Sequence, residues 1–282
     1  MEYLLSAREM KGCDERTVSD FHVPAAVLME RAALSVAEEI EKRLTKQDTV
    51  LFLCGAGNNG GDGYAAARIL AERGFRPWIL LLKPPAKGSL PEQELLSARS
   101  YGVKELSALP EEPPRAVVDA IFGTGLSRDI EGEPFHVIET VNAWETLRIA
   151  VDLPSGVSAD HGKILGIAFQ ADITVTFAFR KLGQLLFPGA ACCGEVLRKD
   201  IGIVESSFSG SKPRVLAYGR EDLSLLPKRT ADTNKGDYGK LLIIAGSPGM
   251  CGAAVFAAKA AYRMGVGLVR VYTPEENRSI LQ

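Results

Sequence analysis

Six short segments of strand character alternate with helical patterns between residues 50 and 201. The first, VLFL at 50–53, is uncharged and is followed by glycine, which is typical of a strand buried on both faces of a parallel sheet. Strands that alternate with helices predict an α/β fold with a doubly wound, parallel, Rossmann-like sheet, in which ligands bind at the carboxyl ends of the strands. The predicted strands are 50–53, 77–82, 116–122, 148–151, 173–179 and 195–201.

Two helices are predicted before the first of these strands. Ser6 and Glu9 form a capping box, which begins a helix that runs towards Phe21. Pro24 begins a second helix, whose apolar residues recur at helical spacing. This stripe is interpreted as a core face or a subunit face, so the sequence does not decide whether the chain forms a homo-oligomer. Its members are Leu28, Met29, Ala32, Ala33, Val36, Ile40 and Leu44.

A glycine-rich loop, GAGNNGGDG at 55–63, joins the first strand to a helix that ends near Gly74. This order places backbone N–H groups at the positive end of a helix, where they can bind a phosphate. Gly55, Gly57 and Gly60 fit the dinucleotide fingerprint G-x-G-x-x-G. The alternative interpretation is a tight turn of turn-forming residues without a ligand.

The strand that follows does not end as a redox dinucleotide site requires. An NAD-dependent oxidoreductase places an acid there, roughly 20 residues beyond the glycines, to bind the ribose. Here residues 77–82 are followed by Lys83 and two prolines, which disfavours an oxidoreductase. A P-loop is excluded, because no glycine loop continues into the G-K-S or G-K-T that the motif needs.

Polar residues collect at the ends of three predicted strands. Asn58–Asp62 follow the first strand, Asp119 and Gly123–Asp129 lie at the end of the third, and Asp152–Ser155 follow the fourth. Because the carboxyl ends of parallel strands meet at one edge of the sheet, we expect these segments to converge.

The residue types at this edge favour a hard cation over zinc. Asn59, Asp119 and Ser155 offer oxygen ligands only, which suits K⁺ or Mg²⁺. An acid such as Asp119 inside an apolar strand is costly to bury unless it is paired or bound to a cation. Asp152, which stands before Leu153 and Pro154, either starts a turn or contributes an acid to the site.

Composition and charge exclude several classes. Apolar residues make up 46% and charged residues 24% of the chain, as in globular proteins, and the net charge of −2 gives no electrostatic case for nucleic acid or an anionic membrane. No segment has the length of a membrane span or the apolar region of a signal peptide. The five cysteines contain no C-x-x-C pair, and none of the three histidines has a catalytic setting. A reducing cytoplasm without a zinc site or a Ser-His-Asp triad is predicted.

The composition becomes linker-like at 206–213 (SSFSGSKP), which predicts a first domain of residues 1–210 and a second of residues 211–282. The second carries one further βαβ pattern, with strands at 240–245 and 268–272 around an alanine-rich helix at 253–264. One such unit leaves much of its apolar surface uncovered, so an incomplete domain is predicted.

With these segments in view, the chain resembles the bifunctional NAD(P)H-hydrate repair enzymes. Residues 1 to about 208 resemble the epimerase domain through LMERA (28–32), GAGNNGGDG (55–63), VVDAIFGTGL (117–126), VDLPSG (151–156) and FPG (187–189). From about residue 211 the chain resembles the opening βαβ unit of the ribokinase-like, ADP- or ATP-dependent dehydratase domain, through NKGDYGKLLIIAGSPGMCGAA and MGVGLVRVYTPEEN.

The resemblance implies an isomerase of metabolite repair that interconverts the R and S forms of hydrated NADH and NADPH. It implies that Asp152 contacts the nicotinamide hydrate, and that a potassium ion is held by Asn59, Asp119 and Ser155. The implied substrate-binding residues are Asn58, Asn59, Gly60, Gly61 and Asp62, together with a second loop formed by Gly123, Thr124, Gly125, Leu126, Ser127, Arg128 and Asp129.

In the second domain the resemblance implies that Ala253 falls where the family contacts the dehydratase substrate. The later nucleotide-binding motif of the family has no counterpart in the sequence. Neither ADP or ATP binding nor the lyase reaction of full-length relatives is therefore expected of residues 211–282.

Asp152 is the candidate proton shuttle for epimerisation, since it stands at a strand end before a rigid Leu153–Pro154 turn. Two other hypotheses stay open at this point. One is a non-catalytic dinucleotide-binding module that interacts with other proteins, although such a module needs no buried acid. The other is the oxidoreductase. The sequence does not decide between the NADH and NADPH hydrates.

Overall fold

The computed structural model describes residues 1–208, 210, 212–226 and 228–281. The strands are β1 Glu2–Leu5, β2 Thr49–Cys54, β3 Arg76–Leu81, β4 Lys104–Leu106, β5 Ala116–Ala120, β6 Leu147–Val151, β7 Ile173–Phe177, β8 Arg180–Lys181, β9 Glu195–Lys199, β10 Val215–Ala217, β11 Lys240–Ile244 and β12 Leu268–Tyr272. The helices are α1 Ala7–Ser19, α2 Ala25–Glu41, α3 Asn58–Glu72, α4 Leu90–Ser100, α5 Glu133–Asn142, α6 Gly189–Cys192, α7 Gly252–Met264 and α8 Arg278–Leu281.

A seven-stranded parallel sheet forms the centre of the fold, in the order β4-β3-β2-β5-β6-β7-β9. The predicted doubly wound α/β class is confirmed, and each predicted strand is found with boundaries shifted by up to two residues. Strands β5, β7 and β9 each end two residues before the predicted boundary; β5 ends at Ala120, and the N–H of Ile121 is donated to Asp119. The short edge strand β4 was not predicted.

Two apolar layers cover the two faces of this sheet. Val50 and Phe52 of β2 pack into the layer that contains α2 and α3, whereas Leu51 and Leu53 of the same strand pack into the layer that contains α5. This period of two within a continuous apolar run is the signature of a strand buried on both faces. Every member of the predicted stripe on α2 is buried within the chain, so the stripe is a core face.

A small second sheet joins the amino terminus to the region beyond β7. Strand β1 pairs in parallel with β8, and antiparallel with β10. Leu5 of β1 lies opposite Lys181 of β8 in this pairing. The sequence analysis missed this sheet, because β8 has two residues and β10 has three. The capping box at Ser6 and Glu9, which begins α1 directly after β1, is confirmed.

Contacts divide the chain into two compact units, residues 1–219 and 220–282. Strand β10 belongs to the first unit, since it pairs with β1. Ser209 and Ser211 of the linker-like stretch lie outside the described residues, and the domain assignment at 210/211 stays a prediction.

The second unit contains the predicted βαβ arrangement, with β11 and β12 parallel and α7 between them in the chain. Leu242, Ile244 and Tyr272 of its strands are exposed, in contrast to the fully buried β5. None of the helices in the described part of the chain is long and apolar enough to cross a membrane.

A buried ionic cluster joins α2 to the edge strand β9. Glu39 of α2 accepts bonds of 2.6 Å from Lys42, from Arg43 and from Lys199 of β9. Burial alone raises the pKa of Glu39, but the bonds from the three cations outweigh it and lower the pKa to about 2. Glu39 therefore stabilises the fold at every pH at which its carboxyl group is ionised.

We predict that Glu39→Gln lowers the free energy of unfolding by about 3 kcal/mol near neutral pH, because the substitution leaves three cations around an uncharged group. A folded-state pKa below the unfolded value means that this contribution is present above about pH 4.5 and is lost as the pH falls towards 2. Urea unfolding of both proteins at several pH values measures the difference. A difference that stays constant down to about pH 3 would contradict the role of this ionic cluster.

Candidate active site

The glycine loop lies at the carboxyl end of β2, and Gly57 is the N-cap of α3. The first bond of the helix in this region runs from the N–H of Gly61 to the carbonyl of Gly57. The N–H groups of Asn58, Asn59 and Gly60 therefore precede the helical bonding pattern, and those of the two asparagines, which line the adjacent cavity, are available to an anion.

Close backbone contacts hold this loop against the sheet. Gly55 donates its N–H to Ala120 of β5 over 3.1 Å, and its carbonyl accepts a bond of 3.0 Å from the Tyr64 hydroxyl. A Cβ at position 60 would overlap the carbonyl oxygen of Gly55, whereas a Cβ at Gly57 would meet no atom within 4 Å. Glycine at position 60 is thus required by packing.

A cavity of about 1680 Å³ opens beside this loop, at the carboxyl ends of the central strands. It exceeds the roughly 300–1,000 Å³ of ordinary small-molecule pockets and has room for a dinucleotide. The predicted residues that line the cavity are Asn58, Asn59, Asp62, Asp152 and all of Gly123–Asp129. Helix α1 supplies part of the wall, which the sequence analysis did not anticipate.

Four predicted residues of the first unit do not line the cavity. Gly60 and Gly61 are buried in the packing of α3, where a Cβ at position 61 would meet the side chain of Met29. Asp119 and Ser155 are buried and hydrogen-bonded to each other.

Ala253 is exposed on α7 in the second unit. A small pocket of about 360 Å³ in that unit is lined by residues 244–246 and 272–274 and does not include Ala253. The implied role of Ala253 stays a prediction.

Asp119 is fully buried, and its carboxylate accepts three bonds. They come from the N–H of Ile121 (3.1 Å), the N–H of Ser155 (2.6 Å) and the hydroxyl of Ser155 (2.6 Å). Burial raises the pKa of Asp119 to about 6, although these bonds act in the opposite direction. Within the described chain no basic side chain is paired with this carboxylate.

Asn59, on the glycine loop, lies beside Gly123 of the loop that follows β5. A Cβ at Gly123 would come within 3.3 Å of the Asn59 side chain. The Nδ2 atom of Asn59 is buried and lacks a hydrogen-bond partner in the described part of the chain. No group of three or more histidines, cysteines, aspartates or glutamates in the described residues is arranged to hold a metal ion. The donors here are instead one carboxylate, one amide and one serine.

Asp152 follows β6 with a φ of 65°, a left-handed conformation that a non-glycine residue rarely adopts. Its Oδ1 accepts bonds from the Thr176 hydroxyl (3.1 Å), the Phe177 N–H (3.3 Å) and the ammonium group of Lys181. All three bonds reach Oδ1, so no described residue is bonded to Oδ2. The side chain remains 15% exposed at the cavity.

Lys181 is the functional candidate that the sequence analysis missed. Its side chain is 1% exposed, and its Nζ also bonds to the Thr176 hydroxyl (3.0 Å) and the Phe177 carbonyl (3.3 Å). The Gln184 amide completes this group, because it donates to the Asp152 carbonyl over 2.7 Å. In the sequence, the only indication was that this lysine follows the apolar strand β7, and its position does not identify Asp152 as its partner.

Two more carboxyl groups lie on the cavity wall near Asp152. Asp14 of α1 keeps over a third of its surface accessible at the mouth, yet burial, and then repulsion by Asp152, raises its pKa to about 6. Burial and repulsion by Asp152 and Asp14 raise the pKa of Asp62 well above its usual value. The site thus brings together carboxyl groups in different environments: Asp152 is paired with Lys181, whereas burial and repulsion favour the protonated forms of Asp14 and Asp62.

We predict that Gly60→Ala lowers the free energy of unfolding by about 2–3 kcal/mol, because the added methyl group overlaps the backbone of Gly55. Gly57→Ala is the matched control, with an expected change below about 1 kcal/mol, since open space surrounds that position. Chemical denaturation of the three proteins provides the comparison. Equal losses in both variants would show that the close approach does not constrain position 60.

Two family models match the chain. One, described as YjeF-related protein N-terminus, matches residues 25–183, and one described as NAD(P)H-hydrate dehydratase matches residues 241–282. The first covers β2 to β8 and all candidate site residues of the first unit except Asp14 and Gln184. The second covers β11 from its second residue, α7 and β12.

Individual proteins show the same two-part similarity. A bifunctional NAD(P)H-hydrate repair enzyme of Moorella thermoacetica is 40% identical over 99% of this chain and 56% of its own length. An NAD(P)H-hydrate epimerase of Oenococcus oeni is 39% identical over 71% of this chain and 97% of its own length. The chain spans about half the length of the bifunctional relatives that it matches.

The crystal structure of the yeast protein ynu0 has the same fold. It superimposes with a TM-score of 0.63 over 78% of this chain and 97% of the yeast chain, at 22% sequence identity. This likeness confirms the Rossmann-like architecture, and at that identity it carries no information about the reaction.

Proposed function

Since the chain belongs to the family of YjeF-related N-terminal domains, we propose that it epimerises hydrated NADH and NADPH at C6 of the hydrated nicotinamide ring. The observation that carries this proposal is Asp152, which lines a dinucleotide-sized cavity and has one carboxylate oxygen that no described residue bonds. The similarity to the Oenococcus oeni epimerase supports it, because that similarity covers nearly the whole of the relative. The proposal concerns residues 1–219 and does not include ADP- or ATP-dependent dehydration.

The cavity offers a separate place for each part of such a substrate. The free N–H groups at the start of α3 suit the pyrophosphate, and the loop 123–129 with Arg128 lies beside them on the cavity wall. The hydrated ring then lies towards Asp152. Fixing the two phosphates places the ring without requiring a strong contact to the ring itself.

Epimerisation inverts one carbon that carries both a hydroxyl group and the ring nitrogen. It proceeds either by departure and return of the hydroxyl group or by opening and closure of the ring. Each route needs one group that removes a proton and one that supplies a proton. Asp152 is the proposed base, and Asp14 and Asp62, whose pKa values are raised, are the proposed acids. A non-catalytic binding module would need none of these groups.

We propose that Asn59, Asp119 and Ser155 hold a potassium ion beside the substrate. The fit rests on the donor set: a fully buried carboxylate without a basic partner in the described chain, the serine bonded to it, and the Asn59 amide beside the loop that follows β5. One carboxylate among uncharged oxygens is a low ligand charge that suits a monovalent ion. When bound, potassium would offset the buried charge and brace the loops that follow β2, β5 and β6.

The five cysteines are all free thiols and all buried, which supports a reducing compartment such as the cytoplasm for this protein.

The experiment that tests the proposed function starts from purified R or S hydrate and follows formation of the other epimer by NMR or chiral HPLC. The proposal expects the full chain to accelerate interconversion far above the rate in buffer. Binding of the hydrate without acceleration would favour the interaction module. Oxidation or reduction of the nicotinamide would favour an oxidoreductase.

We predict that Asp152→Asn lowers the rate of epimerisation by about 10²–10⁴, as expected for loss of a positioned acid or base. The substitution also leaves the buried Lys181 ammonium without its counterion, which costs stability. The double variant Asp152→Asn, Lys181→Met removes both charges and serves as the folding control. Near-normal turnover in this folded double variant would assign proton transfer to another group.

We predict that replacing potassium with tetramethylammonium lowers the melting temperature of the wild-type protein, and that Asp119→Asn abolishes this difference. Glu39→Gln is the matched control, because it alters another buried carboxylate that lies in the ionic cluster of α2 and β9. It should destabilise the protein yet retain the effect of potassium. Identical melting temperatures of the wild-type protein in both salts would contradict the proposed potassium site.

A further inference from the structure

Asp14, Asp62 and Asp152, the three carboxyl groups at one end of the cavity, differ in whether they are bonded to a basic side chain. Asp152 is bonded to a basic side chain, Lys181, whereas in the described chain neither Asp14 nor Asp62 is bonded to one. The three groups otherwise share one environment, since each interacts electrostatically with the others. A single cation that contacts only one of three acids makes them chemically unequal.

Lys181 is held at both ends. Its backbone lies opposite Leu5 in the β1–β8 pair, and its N–H donates to the Gln184 side chain over 2.9 Å. Its ammonium group contacts Asp152, the Thr176 hydroxyl and the Phe177 carbonyl. Burying a lysine side chain that is only 1% exposed costs free energy unless its charge is paired. The ion pair with Asp152 provides that pairing and therefore fixes the position of the ammonium group.

The same contacts fix the orientation of Asp152. Lys181, Thr176 and Phe177 all bond to Oδ1, and Gln184 holds the backbone carbonyl of Asp152. Charge-assisted bonds favour the ionised form of the carboxylate that accepts them. The opposite oxygen, Oδ2, is bonded to no described residue and is left for a ligand.

We propose that Lys181 is the positioning residue that keeps Asp152 ionised and oriented, so that Asp152 accepts the substrate proton while Asp14 and Asp62 carry the protons to be donated. This inference rests on the proposed epimerase function and adds an assignment of roles among three acids. Lys181 acts through Asp152 and is not itself required to contact the substrate.

The raised pKa values of Asp14 and Asp62 agree with their role as donors, since burial and repulsion by Asp152 favour their protonated forms. Other charged groups also act on these acids. Glu15 repels Asp14, and Glu94 repels Asp62, whereas the ammonium group of Lys181 attracts both and acts to lower their pKa values. Arg8, Lys11 and Asp160 line the same cavity, and Asp160 is bonded to the N–H of Ala7.

On the ring-opening route the proton transfers balance as follows. The hydroxyl proton passes to Asp152, a carbonyl forms at C6, and the electron pair of the C6–N1 bond moves to N1. N1 takes a proton from a protonated carboxyl group. Closure on the other face of C6 reverses these steps and restores both acids, so no external oxidant, reductant or co-reactant is needed.

The test is the pH profile of kcat/KM for Lys181→Met in the full chain. Without its cation Asp152 should ionise only at higher pH, so the acid limb should move up by about 1–3 pH units. At pH values just below the shifted limb, kcat/KM of Lys181→Met should therefore be at least about tenfold lower than that of the wild type, and it should recover at high pH. Lys181→Arg, which keeps the charge, should leave the acid limb close to that of the wild type.

Lys199→Met is the matched control, because Lys199 is also a lysine paired with a buried carboxylate, Glu39, in the ionic cluster of α2 and β9. It should lower stability without moving the acid limb. Thr176→Val is a milder probe for use if Lys181→Met does not fold. It removes one hydroxyl from Asp152 and Lys181 and should shift the limb in the same direction by less than Lys181→Met.

An unchanged acid limb in folded Lys181→Met, or in Thr176→Val if the lysine variant does not fold, would overturn the inference. An equal shift in Lys199→Met would overturn it as well. Failure of the proposed function is distinguishable from these outcomes, because a wild-type protein that does not interconvert the epimers at any pH has no acid limb to compare.

Discussion

Gly55 donates its N–H to Ala120 across the carboxyl ends of β2 and β5, and this contact sets the geometry of the site. The backbone approaches so closely that a side chain fits at neither Gly55 nor Gly60. As a result α3 begins directly at the sheet edge, with its free N–H groups beside the loop that follows β5. Strands buried on both faces provide the rigid edge against which this loop packs.

The fold places two aspartates near this edge, Asp119 fully buried and Asp152 partly exposed, and stabilises them differently. Asp119 is inside β5, where it is bonded to backbone N–H groups and Ser155 but to no cation of the described chain. Asp152 is at the end of β6 and is bonded to Lys181. A buried acid with only neutral partners suits an added cation, and an acid with a fixed ammonium group suits proton transfer. This difference is the physical basis for assigning one to ion binding and the other to chemistry.

The sequence predicted most of the central sheet, because apolar runs such as 50–53 carry an unambiguous pattern. It also predicted that Asn58–Asp62, Gly123–Asp129 and Asp152 lie at one sheet edge, since topology determines where parallel strands end. Lys181 and Asp14 could not be found in this way. Lys181 reaches Asp152 through the two-residue strand β8, and Asp14 lies on α1, where a polar residue ordinarily faces solvent.

The most direct test of the account is a crystal structure of the full chain with a hydrated dinucleotide bound. The account predicts the pyrophosphate against the N–H groups of Asn58 and Asn59 and the ring hydroxyl within hydrogen-bonding distance of Oδ2 of Asp152. A dinucleotide bound in the reverse direction, with its adenine towards Asp152, or bound outside this cavity would contradict it.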